Sequence, residues 1–190
     1  MLRTALLTLL ALAVAIGGGA ASVWYALGSE ESIGATAVGT WLTYPDLGTV
    51  NADPYSRAKV AREGALVLGR AEGLRFVAQR DAAGEPLVRQ CRYTVEGTIP
   101  PARIWTLHAA ERGGAPVPPA RALNAQIVTY LPGGSLAATV GARAAPGNWL
   151  ATSGSGPMAL VLTLYDSPVA VSTGVSDIQL PRIAKVGCDG

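Results

Sequence analysis

An uncharged run near the N-terminus constrains this chain more than any other feature of its sequence. Ala5 to Leu27 is 23 residues long and contains no Asp, Glu, Lys or Arg. As a helix it would be about 35 Å long, enough to cross a hydrocarbon layer of roughly 30 Å. A buried core helix is seldom so long without a charge. Residues 1–28 are therefore predicted to form a transmembrane anchor.

The charges on either side of this run predict its orientation. Arg3 and the amino terminus precede it, whereas Glu30 and Glu31 follow it. Positive charges are retained on the cytoplasmic side of a membrane. We therefore expect a single-pass protein of a bacterial inner membrane, with its N-terminus in the cytoplasm and its C-terminal domain in the periplasm.

The same run also contains the parts of a cleaved signal peptide. Ala5–Ile16 would be the apolar region, and Gly17–Ser22 would supply small residues for cleavage. Val23–Leu27 continues the apolar run, and it contains Trp24 and Tyr25, aromatic types that are typical of membrane interfaces. This continuation favours an uncleaved anchor, and a signal-cleaved soluble ligand-binding protein stays an alternative.

Small residues four positions apart mark one side of the predicted helix. The pairs are Gly17 with Ala21 and Gly18 with Ser22. Such a face lets a second helix approach closely, which predicts packing against an integral-membrane partner. A low-complexity Ala/Gly tract without a partner is the alternative.

Residues 29–40 are interpreted as a linker and residues 41–190 as one domain. Of the whole chain, 49% is hydrophobic and only 15% is charged, which excludes a disordered chain. The net charge of +2 provides no basic surface for nucleic acid, so no nucleic-acid partner is expected.

Two cysteines, Cys91 and Cys188, also indicate the compartment. Neither belongs to a CxxC motif, and the one histidine, His108, does not stand at metal-ligand spacing from them. Outside the cytoplasm such a pair is oxidised, so we predict a disulfide that closes a loop of about 98 residues. No metal and no cofactor is predicted.

Local signals beyond the linker predict one short helix followed by strands. Asp53 before Pro54 is typical of a helix start, and Gly64 is typical of a stop, which gives a helix over residues 54–63. Its spacing places these residues on one face: Tyr55, Ala58, and Ala61 or Arg62.

Short apolar runs between the 23 glycines and 13 prolines predict the strands. They are Leu74–Arg80, Leu87–Ile99, Arg103–Ala109, Ala125–Leu131, Ser135–Val140, Trp149–Thr152 and Met158–Tyr165. The first two are predicted to form a hairpin. The fold class is therefore mainly β, an antiparallel β-sandwich or jelly roll with one short helix.

Seven motifs in order add a resemblance to a known family. They are Asp53-Pro54-Tyr55-Ser56-Arg57-Ala58 with Ala61-Arg62, Glu72-Gly73-Leu74, Cys91-Arg92-Tyr93 with Gly97, Pro101-Ala102-Arg103-Ile104-Trp105-Thr106-Leu107, Pro146-Gly147-Asn148-Trp149-Leu150, Leu162-Thr163-Leu164-Tyr165 and Leu180-Pro181-Arg182-Ile183. Together they resemble the bacterial domain of unknown function 1214 family, in its short form with an N-terminal membrane segment. The resemblance implies a jelly-roll-like β-sandwich. No activity is established for that family, so the resemblance implies no catalytic residue.

The residues themselves do not single out a catalytic group either. His108 would need an acid partner and a nucleophile that the sequence does not place beside it. Gly154-Ser155-Gly156 lacks the GxSxG spacing of a hydrolase and is interpreted as a turn. A glycosidase needs two carboxylates about 5–10 Å apart, and five carboxylates are equally eligible. They are Asp46, Asp53, Glu72, Glu96 and Asp166.

Arginine and aromatic residues dominate the motif segments, a composition typical of ligand clefts and protein interfaces. The predicted ligand-binding residues are Tyr55, Arg57, Arg103, Trp105, Asn148 and Trp149. Core packing and ion pairing are the alternative use of the same residues.

The sequence thus predicts a membrane-anchored periplasmic binding or scaffold domain, one form of which is an accessory subunit of an inner-membrane complex. Its ligand would be a small molecule or a glycan. The alternative is a periplasmic enzyme that acts on a carbohydrate-like or envelope substrate.

Overall fold

The computed structural model describes residues 2–28, 34–64, 67–111, 114–170 and 178–188. Residues 29–33 of the predicted linker, including Glu30 and Glu31, lie outside the described residues. The elements are α1 (Leu2–Gly28), β1 (Thr36–Val38), β2 (Trp41–Thr43), α2 (Pro54–Glu63), β3 (Gly73–Ala78), β4 (Cys91–Gly97), β5 (Ile104–Ala110), β6 (Ala122–Asn124), β7 (Leu136–Gly141), β8 (Asn148–Ala151), β9 (Ala159–Tyr165), a short 3-10 helix (Pro168–Ala170) and β10 (Arg182–Cys188).

The strands form two sheets that share one hydrophobic core. The larger sheet has the order β1-β2-β3-β9-β5-β6, and the smaller has the order β10-β4-β7-β8. Buried side chains from both sheets, such as Phe76 and Leu162 on one side and Tyr93 and Val140 on the other, belong to the same cluster. The prediction of a mainly β protein is confirmed, whereas the jelly-roll connectivity stays a prediction.

One strand pair departs from the predicted antiparallel arrangement. β7 and β8 are parallel, with Ala138 opposite Asn148 and Gly141 opposite Ala151. Side chains of β8 hold the start of this strand beside β7. The Asn148 amide donates to the Ala137 carbonyl oxygen at 2.9 Å, and the Trp149 indole donates to the Gly141 carbonyl oxygen at 3.0 Å.

The predicted hairpin between the first two β segments is wrong, because β3 and β4 lie in different sheets. The turn itself forms, with Arg80 bridged to Pro86. Beyond it, the backbone of Leu87 accepts from Met158 and that of Arg89 donates to Gly156. The chain then enters the smaller sheet, where β4 pairs with β7 and β10.

The strand predicted over residues 125–131 is also wrong. The pairing with β5 is made earlier, by Ala122–Asn124, and the following residues form turns and a loop. Asn124 ends this strand, because its side-chain oxygen accepts from the Gln126 amide at 2.9 Å and closes a local turn.

Helix α2 has the predicted limits. The Asp53 carboxylate accepts from the amides of Tyr55 and Ser56, and Gly64 ends the helix at φ 61°. Ser56 and Val60 are buried, four positions apart. Tyr55, Ala58, Ala61 and Arg62, predicted to share one face, are all exposed.

Helix α1 keeps its apolar side chains outside the core. Among the described residues it is the one helix long and apolar enough to cross a membrane, and none of Leu2–Tyr25 is buried. Both a membrane anchor and a signal sequence have these properties. A core helix of a soluble domain would be buried instead.

Candidate functional site

The two cysteines form the predicted disulfide. Cys91 of β4 and Cys188 of β10 lie directly opposite each other in the smaller sheet and are bonded. Cys91 is buried and Cys188 is exposed. A disulfide indicates an oxidising compartment.

Two of the predicted ligand-binding residues lie in the first turns of α2. Tyr55 is 39% exposed. Arg57 donates from Nη2 to the carbonyl oxygens of Thr49 and Val50, at 2.9 and 3.2 Å. The Arg57 side chain therefore braces the loop that precedes the helix.

A third predicted residue, Arg103, lies just before β5 on the surface. Its guanidinium is 3.9 Å from the Asp166 carboxylate, and both side chains are largely exposed. An ion pair with this exposure contributes little to stability. Arg103 thus pairs with Asp166, whereas Arg57 of α2 bonds to the loop before its own helix.

The remaining predicted residues are connected through the loop that follows β6. Trp105 is buried, and its indole donates to the Tyr130 hydroxyl at 3.0 Å. The Asn148 side chain accepts from the Thr129 amide at 2.8 Å and donates to the Thr129 carbonyl oxygen at 2.7 Å. The structure thus connects Trp105 and Asn148 to the adjacent residues Tyr130 and Thr129. The indole of Trp149 donates to Gly141 instead.

Thr129, Tyr130 and Asn148 border a groove of about 280 Å³ on the smaller sheet, and Asn148 is the predicted ligand-binding residue in its described lining. Its lining includes Thr94 and Glu96 of β4, Thr139 of β7, Tyr130, Leu131 and Asn148. Tyr130 is 40% exposed and Leu131 is 51% exposed, so an aromatic and an aliphatic surface face the groove beside hydroxyls and one carboxylate. Such a combination suits a ligand with both polar and apolar faces.

Tyr130 is the groove residue that the sequence interpretation missed. The sequence predicts it only as part of a strand over residues 125–131. Its position depends on the distant Trp105 indole and on an isolated bridge to Leu136, and no local signal reveals either contact.

Two larger clefts of about 560 and 380 Å³ meet at the turn between β1 and β2. Their buried polar side chains are already engaged. The Trp41 indole donates to the Pro181 carbonyl oxygen at 2.8 Å, and the Asp81 carboxylate accepts from the amides of Ala83 and Glu85. The Trp41 indole and the Asp81 carboxylate are therefore occupied by backbone partners in these clefts.

Four of the five candidate carboxylates have a structural partner. Asp46 pairs with Arg70, Asp53 caps α2, Glu72 accepts from the Gly69 amide and Asp166 pairs with Arg103. Glu96 is the member of this set that lines the groove.

His108 lies on the side of the larger sheet that faces away from the core. It is half-buried in β5, opposite Val161 of β9 and Ala122 of β6. Burial lowers the pKa of His108 below its usual value, and the positive charge of Arg75 lowers it further. The imidazole is therefore neutral at pH 7.

One solved structure shares this fold, and a second matches less well. The VPA0106 protein from Vibrio parahaemolyticus matches at a TM-score of 0.56 and 17% identity, covering 72% of this chain and 36% of that one. An uncharacterised protein from Burkholderia cenocepacia matches at a TM-score of 0.43 and 16% identity, covering 70% of this chain and 43% of that one. At such identities the first likeness shows the fold alone. The chain spans about a third of the length of the Vibrio protein.

The family is shown by a direct match of the sequence. No curated protein matches the chain. The model of the family described as "Protein of unknown function (DUF1214)" matches residues 72–169, just over half of the chain, and this range includes β3 to β9 and the groove. The chain belongs to the DUF1214 family.

Proposed function

We propose that this chain is a single-pass protein of a bacterial inner membrane whose periplasmic domain binds a ligand without catalysis. In this proposal residues 1–28 are the anchor. The binding domain begins within the predicted linker 29–40, because β1 (Thr36–Val38) already pairs with β2 in the larger sheet, and it extends over the predicted domain 41–190. The exposed apolar side chains of α1 and the disulfide between Cys91 and Cys188 support this location.

The groove beside Tyr130 is the observation that carries the binding role. The three hydrogen bonds of Asn148 to Thr129 and Ala137 fasten one wall of the groove to β7. A wall held in this way loses little conformational freedom when a ligand binds. An exposed tyrosine ring beside Thr94, Thr139 and Glu96 suits the apolar face and the hydroxyls of a sugar.

The experiment measures binding to the full chain in lipid nanodiscs by saturation-transfer NMR. The probes are glucose, N-acetylglucosamine and maltose. We expect at least one to bind, and Tyr130→Leu or Glu96→Gln to weaken that binding at least tenfold. Tyr55→Leu is the matched control, because the exposed fractions of Tyr55 and Tyr130 are 39% and 40%. Equal binding by all variants, or no binding of any probe, would contradict a sugar site in this groove.

An enzyme that acts on a carbohydrate-like or envelope substrate is the alternative function. Glu96 is the observation that favours it, since a groove carboxylate can serve as an acid or a base. Glycoside hydrolysis needs a second carboxylate about 5–10 Å away. No other Asp or Glu belongs to the described lining of the groove, so binding fits better than hydrolysis.

A partner along α1 is a further part of the proposal, which would make this chain an accessory subunit. A methyl group added at Gly17 or Gly18 would contact nothing within 4 Å in the described structure. This open face fits a second transmembrane helix.

A pull-down from native membranes in mild detergent, combined with the intact mass of the chain, tests the anchor and the partner together. We expect the full-length mass and a stoichiometric partner that is lost in Gly17→Leu/Gly18→Leu but retained in Ala20→Leu. Recovery of the chain alone would contradict the accessory role. A chain trimmed near Ser22 would contradict the anchor.

A further inference from the structure

The linker is too short to let the domain move far from the membrane. Gly28 ends α1 and Gly34 is the next described residue, so the two are at most about 20 Å apart. A Cβ atom at Gly34 would lie 3.4 Å from the Ser56 hydroxyl and 3.6 Å from the Asp53 Cβ. The chain therefore enters the domain against the first turn of α2, and α1 and α2 are in contact.

The loop before this turn presents an apolar side chain to solvent. Val50 is 92% exposed, the highest value among the large apolar side chains described. Tyr55, five positions further along, is exposed as well. Single exposed apolar residues are ordinary on a protein surface. Val50 differs because it lies three positions before Asp53, which is close to Gly34, where the chain enters the domain.

Hydrogen bonds hold this loop in one conformation. Arg57 donates to the carbonyl oxygens of Thr49 and Val50, and the Thr49 hydroxyl donates to the Asp46 carbonyl oxygen at 2.8 Å. Asp46 is fastened in turn by Arg70 at 2.6 Å. The loop is thus preorganised. This lowers the entropy cost of inserting Val50 among lipid headgroups.

Positive charges near Val50 suit the anionic headgroups of a bilayer. Arg57 and Arg62 are exposed on α2, within three turns of the loop. Arginine forms strong hydrogen bonds with phosphate groups, and basic residues near a bilayer are attracted to anionic lipids. An exposed apolar residue such as Val50 next to arginines is typical of proteins that bind the membrane interface.

We propose that the loop over residues 44–53 and the first turns of α2 rest on the bilayer that holds α1, with Val50 inserted at the level of the lipid headgroups. This inference depends on the proposed anchor. α2 lies near β3, and the Tyr130 groove lies on the other sheet near β6 and β8. The docked domain would therefore keep its groove accessible to solvent.

The test uses the full chain in nanodiscs of phosphatidylcholine and phosphatidylglycerol at a ratio of about 3:1. Val50→Cys is labelled with a fluorescent maleimide, since both native cysteines are in the disulfide. Ile127→Cys is the matched control, because Ile127 is also an exposed apolar residue at 62% and follows β6 at the far edge of the larger sheet. Quenching is measured with a lipid carrying a nitroxide near its headgroup and with iodide in solution.

We expect the lipid quencher to reduce the fluorescence at position 50 at least twofold more than at position 127. Iodide should quench the label at position 127 more than the label at position 50. Adding Arg57→Ala to Val50→Cys should diminish this difference, because the loop loses the hydrogen bonds of Arg57 to Thr49 and Val50. Equal quenching at both positions in a chain that resists alkaline carbonate extraction would overturn the docking and leave the anchor intact. Release of the chain by carbonate would overturn both.

Discussion

Asn148 is paired with the backbone of Thr129 through two opposed hydrogen bonds, one accepted from the amide and one donated to the carbonyl oxygen. The same side chain donates to the carbonyl oxygen of Ala137. One asparagine thus joins a loop, the start of β8 and the neighbouring strand β7. A side chain engaged in this way can border a ligand site and position its wall.

Replacing Asn148 should therefore cost more than replacing an asparagine with one local bond. We expect Asn148→Ala to lower the free energy of unfolding by about 2–3 kcal/mol, because three backbone groups lose their partner. Asn124→Ala is the control, since Asn124 accepts one bond from Gln126, and it should cost about 1 kcal/mol or less. Denaturant unfolding in detergent measures both values. Equal costs would show that the three bonds of Asn148 add nothing.

Removal of the disulfide should destabilise the fold without changing its strand pairing. Cys91 and Cys188 are separated by 97 positions, and closing such a loop stabilises the folded state by about 4–5 kcal/mol in the chain-entropy model. We expect the double variant Cys91→Ser/Cys188→Ser to lose a comparable free energy of unfolding. The measurement is the guanidinium midpoint with and without reductant. Reductant should shift the midpoint of the wild type but not that of the double variant, and an unshifted wild type with reduced cysteines would contradict this account.

Features determined by neighbouring residues were predictable from the sequence. The limits of α2 follow from Asp53 before Pro54 and from Gly64, because capping depends on groups a few positions apart. The exposed apolar helix also followed from composition alone. The disulfide was predictable for another reason, since two cysteines in an oxidising compartment have one intramolecular pairing.

Features determined by distant residues were not predictable. The turn after β3 resembles that of a hairpin, but the following strand, β4, pairs with β7 and β10 in the other sheet. Tyr130 is held in the groove by a hydrogen bond from Trp105, which is 25 positions away in the sequence. A periodic pattern identifies which residues of a strand face the core, but it contains no information about which strand lies beside it.

A glycine at the start of β3 shows how closely two strands approach. Gly73 has φ 151°, and a Cβ atom there would overlap the carbonyl oxygen of Leu164 on β9. We expect Gly73→Ala to lower the free energy of unfolding by more than 2 kcal/mol, because both the backbone and the neighbouring strand must shift.

Gly84→Ala is the matched control for this substitution. Gly84 also has a positive φ, 82°, but a Cβ atom there would meet nothing within 4 Å. The control should cost only the conformational strain, about 1–2 kcal/mol. Thermal unfolding of both variants beside the wild type separates strain from overlap. A Gly73→Ala variant as stable as Gly84→Ala would show that β3 and β9 can move apart freely.

The one histidine makes the stability of the fold depend on pH in a defined direction. The pKa of His108 is lowered in the folded state by burial and by Arg75, so the unfolded chain binds a proton at a higher pH than the folded chain does. Stability due to the neutral imidazole is therefore fully present above the unfolded pKa of about 6.5 and decreases as the pH falls below it.

We expect the wild type to lose free energy of unfolding between pH 7.5 and 5.5, and His108→Gln to lose less over the same interval. Denaturant unfolding at both pH values measures the difference, and an NMR titration of the folded protein gives the direction of the shift independently. A folded-state pKa at or above 6.5, or identical losses in both proteins, would show that the imidazole is solvated in β5 and does not sense Arg75.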